Sequence, residues 1–221
     1  MKSQESWDWQ TPEKQISVRE WQEKFNWVED FSVSPDGEKI AAIVNLDEME
    51  FGVCENGDVW EENFEKAWSL RHLPDGRTAL LVAKDEEWSV CVDGACWETW
   101  FDYVWDLQST PDGSHISVAV QIDGEYGMAV NDTAWENRYE SISNMVLSET
   151  GSAGAVVQVE PLGQGDIQGF ANGIFSLAVN GEALPEKYMN IWDLAFDSQG
   201  KTLAGSIRKT RTDYGIVNGS A

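Results

Sequence analysis

Histidine and cysteine are scarce in this chain, with two His and three Cys in 221 residues. Basic side chains are few as well: 15 Lys and Arg face 39 Asp and Glu, leaving a formal charge of −24. Neither a Cys-x-x-Cys nor a haem-attachment motif occurs, so the chain is expected to hold no haem, no iron–sulfur cluster and no other cofactor. The negative charge excludes nucleic acid and an anionic membrane surface as partners, since both are bound through Lys and Arg. No apolar run approaches the roughly 18 to 20 residues of a membrane span. The opening residues Met1–Trp9 lack the hydrophobic core of a signal peptide, and a cytoplasmic location is expected. What the chain does have is a hydrophobic content of 42%, enough for a real core, and 12 Trp.

Three tripeptides punctuate the sequence in register: Pro35-Asp36-Gly37, Pro74-Asp75-Gly76 and Pro111-Asp112-Gly113. Degraded copies end at Gly151 and Gly200. Proline presets the φ of a type I turn, Asp bonds its own backbone, and Gly takes the left-handed position that follows. A second series, Asn56-Gly57, Asp93-Gly94, Asn131-Asp132, Asn180-Gly181 and Asn218-Gly219, marks tight hairpins in the same register. Aromatic motifs follow most of these turns: Trp60 to Phe64, Trp97 to Phe101, Trp135 to Tyr139, and a weaker Leu184 to Tyr188. Between the turns lie β-rich runs such as Ile40 to Val44 and Ala79 to Ala83. One unit therefore reads as strands A, B, C and D, the content of a propeller blade.

The ends complement each other. Trp21 to Phe25 matches the strand-D motif without strands A to C before it, whereas Trp192 to Gly219 supplies strands A to C without strand D. The expected fold is all-β: a five-bladed β-propeller of four-stranded antiparallel blades, closed by the N-terminal strand D joining the C-terminal strands A to C. Residues 1–15 are expected to be a tail. Residues 16–221 are expected to be a single propeller domain, with blades near 28–66, 67–103, 104–141 and 142–190 and a shared blade of 16–27 with 191–221.

The recurring Pro-Asp-Gly turn between strands resembles the WD40-like (PD40, TolB-type) β-propeller repeat over residues 21–219. Trp richness on such repeats is also similar to the tryptophan-rich D subunit of the Tmc transmembrane redox complex of sulfate-reducing bacteria. That resemblance implies a docking subunit, peripheral to the inner membrane through its partners, beside iron–sulfur or cytochrome subunits.

Two columns precede the turn glycine in strand A. Eight residues before it stand Glu29, Trp68, Trp105, Ser143 and Trp192, and seven before it stand Asp30, Ser69, Asp106, Asn144 and Asp193. Aromatic faces beside carboxylates suit a cationic partner. Packing between blades is the other origin open for the Trp residues, and the one their usual burial favours, as capping of backbone amides is for the Asp residues. The candidate partner-binding residues are Trp7, Trp9, Asp30, Trp68, Trp105, Asp106, Trp192, Asp193 and, in an inserted loop spanning 160–169, Asp166. No catalytic constellation is expected: His72 and His115 are placed without a nucleophile partner. Channel-mouth Asp residues leave a hydrolase or lyase open as the alternative, as they do a small cationic ligand or peptide. Cys91 and Cys96 flank one hairpin as direct neighbours and are expected to be reduced thiols.

Overall fold

The computed structural model describes residue 13 and residues 15–220. It divides into two compact units, one running to Leu107 with Pro111–Gly113, the other comprising Gln108–Thr110 and the chain from Ser114 onward.

In the first unit a helix, α1 (Val18–Lys24), precedes a sheet of β1 (Trp27–Val33), β2 (Ile40–Asp47), β3 (Glu50–Glu55) and β4 (Asp58–Val59), paired in that order. A second sheet repeats the pattern with β5 (Lys66–His72), β6 (Thr78–Lys84), β7 (Glu87–Val92) and β8 (Ala95–Cys96). The division between units falls within β9 (Tyr103–Ser109), whose sheet continues through β10 (Ile116–Ile122), β11 (Glu125–Val130) and β12 (Thr133–Ala134). The second unit contains β13 (Ile142–Leu147), β14 (Ala153–Gln158), a helix α2 (Ile167–Asn172), β15 (Phe175–Val179) and β16 (Glu182–Ala183). It ends with a sheet of β17 (Asn190–Phe196), β18 (Thr202–Arg208) and β19 (Tyr214–Ser220). The architecture is five antiparallel sheets, four of them four-stranded and one three-stranded. Among the described residues no helix is long and apolar enough to cross a membrane.

Four of the five sheets bury their second strand on both faces, while β18 in the fifth alternates between buried and half-buried residues. Thr78–Ala83 in β6 and Ala153–Val157 in β14 are fully buried, which explains their unbroken apolar runs where a one-sided strand would alternate. In the first unit Ile43, Val53, Phe64, Leu70, Leu80 and Val82 form one apolar cluster from two neighbouring sheets. In the second unit Val156, Leu177, Tyr188, Ile191, Leu203 and Ile207 do the same.

The expected turns are present in their chemistry. Asp36 Oδ1 accepts the Ser34 hydroxyl at 2.6 Å and the Glu38 N–H at 3.1 Å, and Gly37 takes φ 72°. In the other series Asn56 and Gly57 both have positive φ, 52° and 102°, as a type I′ hairpin requires. The side chains of Asn56, Asp93, Asn131 and Asn180 each reach across to accept a backbone N–H of the second strand, at 2.8–3.0 Å. The hairpin is thus pinned by its own first residue.

Four expectations are corrected. The outer strand is shorter than a full strand D: two residues pair before the Trp motif, and the motif's final aromatic returns as an isolated bridge, Phe51 with Phe64, Trp88 with Phe101, Tyr126 with Tyr139 and Phe175 with Tyr188. Trp21 lies in helix α1, buried against Ala42, Val44 and Cys54 of the first sheet, while the β17–β19 sheet has three strands. Closure by a strand built from Trp21–Phe25 is therefore not what the described residues form. Asn218 and Gly219 sit inside β19, opposite Ala204 and Leu203, rather than at a turn. Ladder pairing along seven residues overrides the local turn preference. Lastly, Cys91 and Cys96 face each other across β7 and β8 with Cα atoms 3.8 Å apart and are joined as a disulfide, while Cys54 is free and buried.

Candidate functional site: an aromatic surface on the first unit

The two strand-A columns have different physical origins. Asp30, Ser69, Asp106, Asn144 and Asp193 all adopt left-handed φ, between 51° and 57°. In four of the sheets the register between first and second strand slips at this point, for example between Trp68 and Arg71. An extra residue in the left-handed region is a bulge, and Asp or Asn accepts that conformation better than other non-glycine residues. The backbone thus accounts for the recurrence of Asp30, Asp106 and Asp193, whose side chains are exposed.

The Trp column behaves otherwise. Trp68 is 39% exposed, and Trp105 and Trp192 are half-buried. Trp68 packs into a cluster, tilted against Trp88 at 5.6 Å and edge-on to Tyr103 at 6.0 Å between ring centroids. Trp88 lies 5.3 Å from Tyr103, which in turn lies 5.9 Å from Trp105. Two of the predicted residues, Trp68 and Trp105, are therefore brought onto one aromatic surface by Trp88 and Tyr103. Sequence reasoning missed these two connecting rings. Trp88 had a legible signal, since Phe51, Trp88, Tyr126 and Phe175 each stand five residues before the Asn or Asp of the second turn.

The surroundings are charged. Lys66 Nζ stands 5.7 Å from the Trp88 ring centroid, a cation–π contact. The β6–β7 hairpin leading into Trp88 carries Asp85, Glu86 and Glu87, all exposed. In the second unit Trp192 meets Tyr214 at 6.4 Å, and the Arg208 guanidinium lies 5.6 Å over that Tyr214 ring.

The remaining predicted residues are not part of this surface. Asp166 caps α2, its side chain accepting the Gly169 N–H at 2.8 Å, so the inserted segment turns helical from Ile167 onward. Trp7 and Trp9 lie outside the described residues. Among the described residues no group of three or more His, Cys, Asp or Glu side chains is placed to hold a metal ion.

A polar chain that the sequence did not suggest links the first two sheets. His72, whose side chain is 1% exposed, is not isolated. Ser32 Oγ accepts the His72 backbone N–H at 2.9 Å and lies 3.1 Å from His72 Nδ1. Beyond the ring, His72 Nε2 is 3.9 Å from Glu55 Oε2. Glu55 accepts the Thr78 hydroxyl at 2.7 Å and pairs with Lys39 Nζ at 2.9 Å. Burial lowers the His72 pKa below its ordinary 6.5, against the pull of the Glu55 charge. Burial works against the Glu55 carboxylate too, but the bonds from Thr78 and Lys39 outweigh it and hold that pKa down.

No family model and no curated protein matches the chain, so the resemblance to the Tmc D subunit gains no support from them. Among solved structures the chain is similar to the β-propeller domain of the Trilobed protease from Pyrococcus furiosus, at 14% identity over 88% of this chain and 69% of that one, with a TM-score of 0.48. It is similar to oligopeptidase B from Leishmania major at 12% identity, over 93% of this chain and 33% of that one, with a TM-score of 0.49. TolB from Acinetobacter baumannii matches at 13% identity over 88% of this chain and 54% of that one, with a TM-score of 0.39. The chain thus spans about a third to two thirds of the length of these proteins. At such scores the likeness adds nothing to the reading of the site.

Proposed function

We propose that the chain is a non-catalytic docking module: its five sheets are the blades of one propeller domain over residues 16–221, and it binds another protein through the aromatic surface of Trp68, Trp88, Tyr103 and Trp105. The observation that carries this reading is the exposure of Trp68 within a continuous four-ring surface. Large aromatic rings left at a surface are costly to keep in water, and Trp and Tyr are the side chains that most often anchor protein interfaces. The finer reading is a cytoplasmic subunit of a membrane-associated electron-transfer complex, its partner an iron–sulfur or cytochrome subunit. It rests on the sequence resemblance alone.

Affinity capture with the immobilised chain tests the docking role, using extract from its source cells and comparing the native chain with Trp68→Ala. A protein retained by the native chain and lost from the variant supports docking through this surface. Capture of the same proteins by both, or of none, removes it.

A further inference from the structure

Resting on that docking role, we infer that the occupant of the aromatic surface is a cationic side chain, an arginine or lysine presented by the partner, and that Lys66 is its internal stand-in. Three observations converge. First, the chain has only 15 Lys and Arg against 39 acidic residues, yet among the described residues four cations lie over aromatic rings: Lys24 on Phe25, Lys66 on Trp88, Arg208 on Tyr214 and Lys209 on Tyr188. The rings of this protein are used as cation acceptors, and Trp88 belongs to the proposed surface. Second, the exposed Asp85, Glu86 and Glu87 stand immediately before Trp88 in the chain, and their negative charge favours a cation over a neutral or acidic group near that strand. Third, Lys66 is itself exposed, and its flexible stem lets the ammonium leave Trp88 when a better cation arrives. Guanidinium is the better of the two, being planar and weakly hydrated, and it stacks on aromatic faces. An apolar or acidic occupant is disfavoured, the first because it gains nothing from the carboxylates, the second because it is repelled by them.

The test is calorimetric titration of the whole chain with acetyl-triarginine amide, and with the same peptide carrying citrulline, whose urea is the neutral isostere of guanidinium. The arginine peptide is expected to bind about tenfold more tightly than the citrulline peptide. Trp68→Ala should lose most of that advantage while Trp68→Phe keeps it, and Lys66→Ala should bind the arginine peptide a few-fold more tightly. Equal affinity for the two peptides overturns the inference, and needs no variant to fold. An arginine preference untouched by Trp68→Ala would assign the binding to diffuse negative charge and overturn it too, as would a Lys66→Ala variant with unchanged or weaker affinity. These failures are distinct from failure of the docking role: a captured protein that depends on Trp68 but is not displaced by the arginine peptide leaves docking intact with a different occupant.

Discussion

The indole of Trp21 lies over Gly57, so that a Cβ built on that glycine would stand 3.8 Å from Trp21 Nε1. Trp60 meets Gly94 in the next sheet at the same 3.8 Å, and Trp135 closes on Gly181 at 3.1 Å. In these three aromatic motifs the first residue therefore presses on a hairpin glycine of the sheet that follows it. Trp21 does this from a helix, where Trp60 and Trp135 follow a short outer strand. At 4% exposure it is a core residue. Trp21→Ala should cost about 3–5 kcal/mol of stability, read as a lower denaturation midpoint with the Trp68 surface still able to bind if refolding is complete.

The bulge column separates backbone from charge. Asp193 at φ 56° is exposed, and Asn tolerates that conformation as well as Asp does. Asp193→Asn is expected to keep the native stability. Asp193→Val places a β-branched residue in the left-handed region and should lose about 1–2 kcal/mol. Equal melting of both variants would mean that the conformation is not what selects the residue.

Acid should weaken the first unit through His72. The charged groups that act on this ring are Glu55, Lys39, Asp93 and Asp36, with Glu55 Oε2 at 3.9 Å from Nε2. Because the folded pKa lies below 6.5, the unfolded chain takes up a proton first as pH falls through that value, and stability drops there. Glu55, with its folded pKa below 4.5, contributes stability that is present above that value and is lost at still lower pH. In His72→Gln the fall that sets in as pH drops through 6.5 should disappear while the lower one remains, in urea midpoints measured across pH. An unchanged profile would take His72 out of the account.

Thiol titration of the denatured, unreduced chain should find one reactive cysteine, Cys54, because Cys91 and Cys96 are bonded to each other. Three reactive thiols without prior reduction would show that the pair is not oxidised in solution.

Local chemistry made the repeat legible before any coordinates. Pro-Asp-Gly and Asn-Gly have few ways to fold, and apolar runs such as Ala79–Ala83 read directly as strands. Those signals act over four or five residues, which is why the turns and the inner strands fell where expected. The same rules failed at Asn218-Gly219 and at Trp21–Phe25, where distant pairing and packing decide. A turn signal yields when a full ladder opposes it, and Trp21 meets its hairpin glycine from a helix where Trp60 does so just after a short strand.

The site divides the same way. Asp30, Asp106 and Asp193 could be counted in the sequence, but only their φ values reveal a backbone cause. Trp68 and Trp105 could be counted too, yet their union needs Trp88 from β7 and Tyr103 from the start of β9. Sequence by itself determined the sheet repeat, because turn geometry is a local property of the chain. Which rings share a surface, which cysteines bond and which histidine is buried were decided by the tertiary structure, because contact between strands depends on a register that no short stretch of sequence encodes.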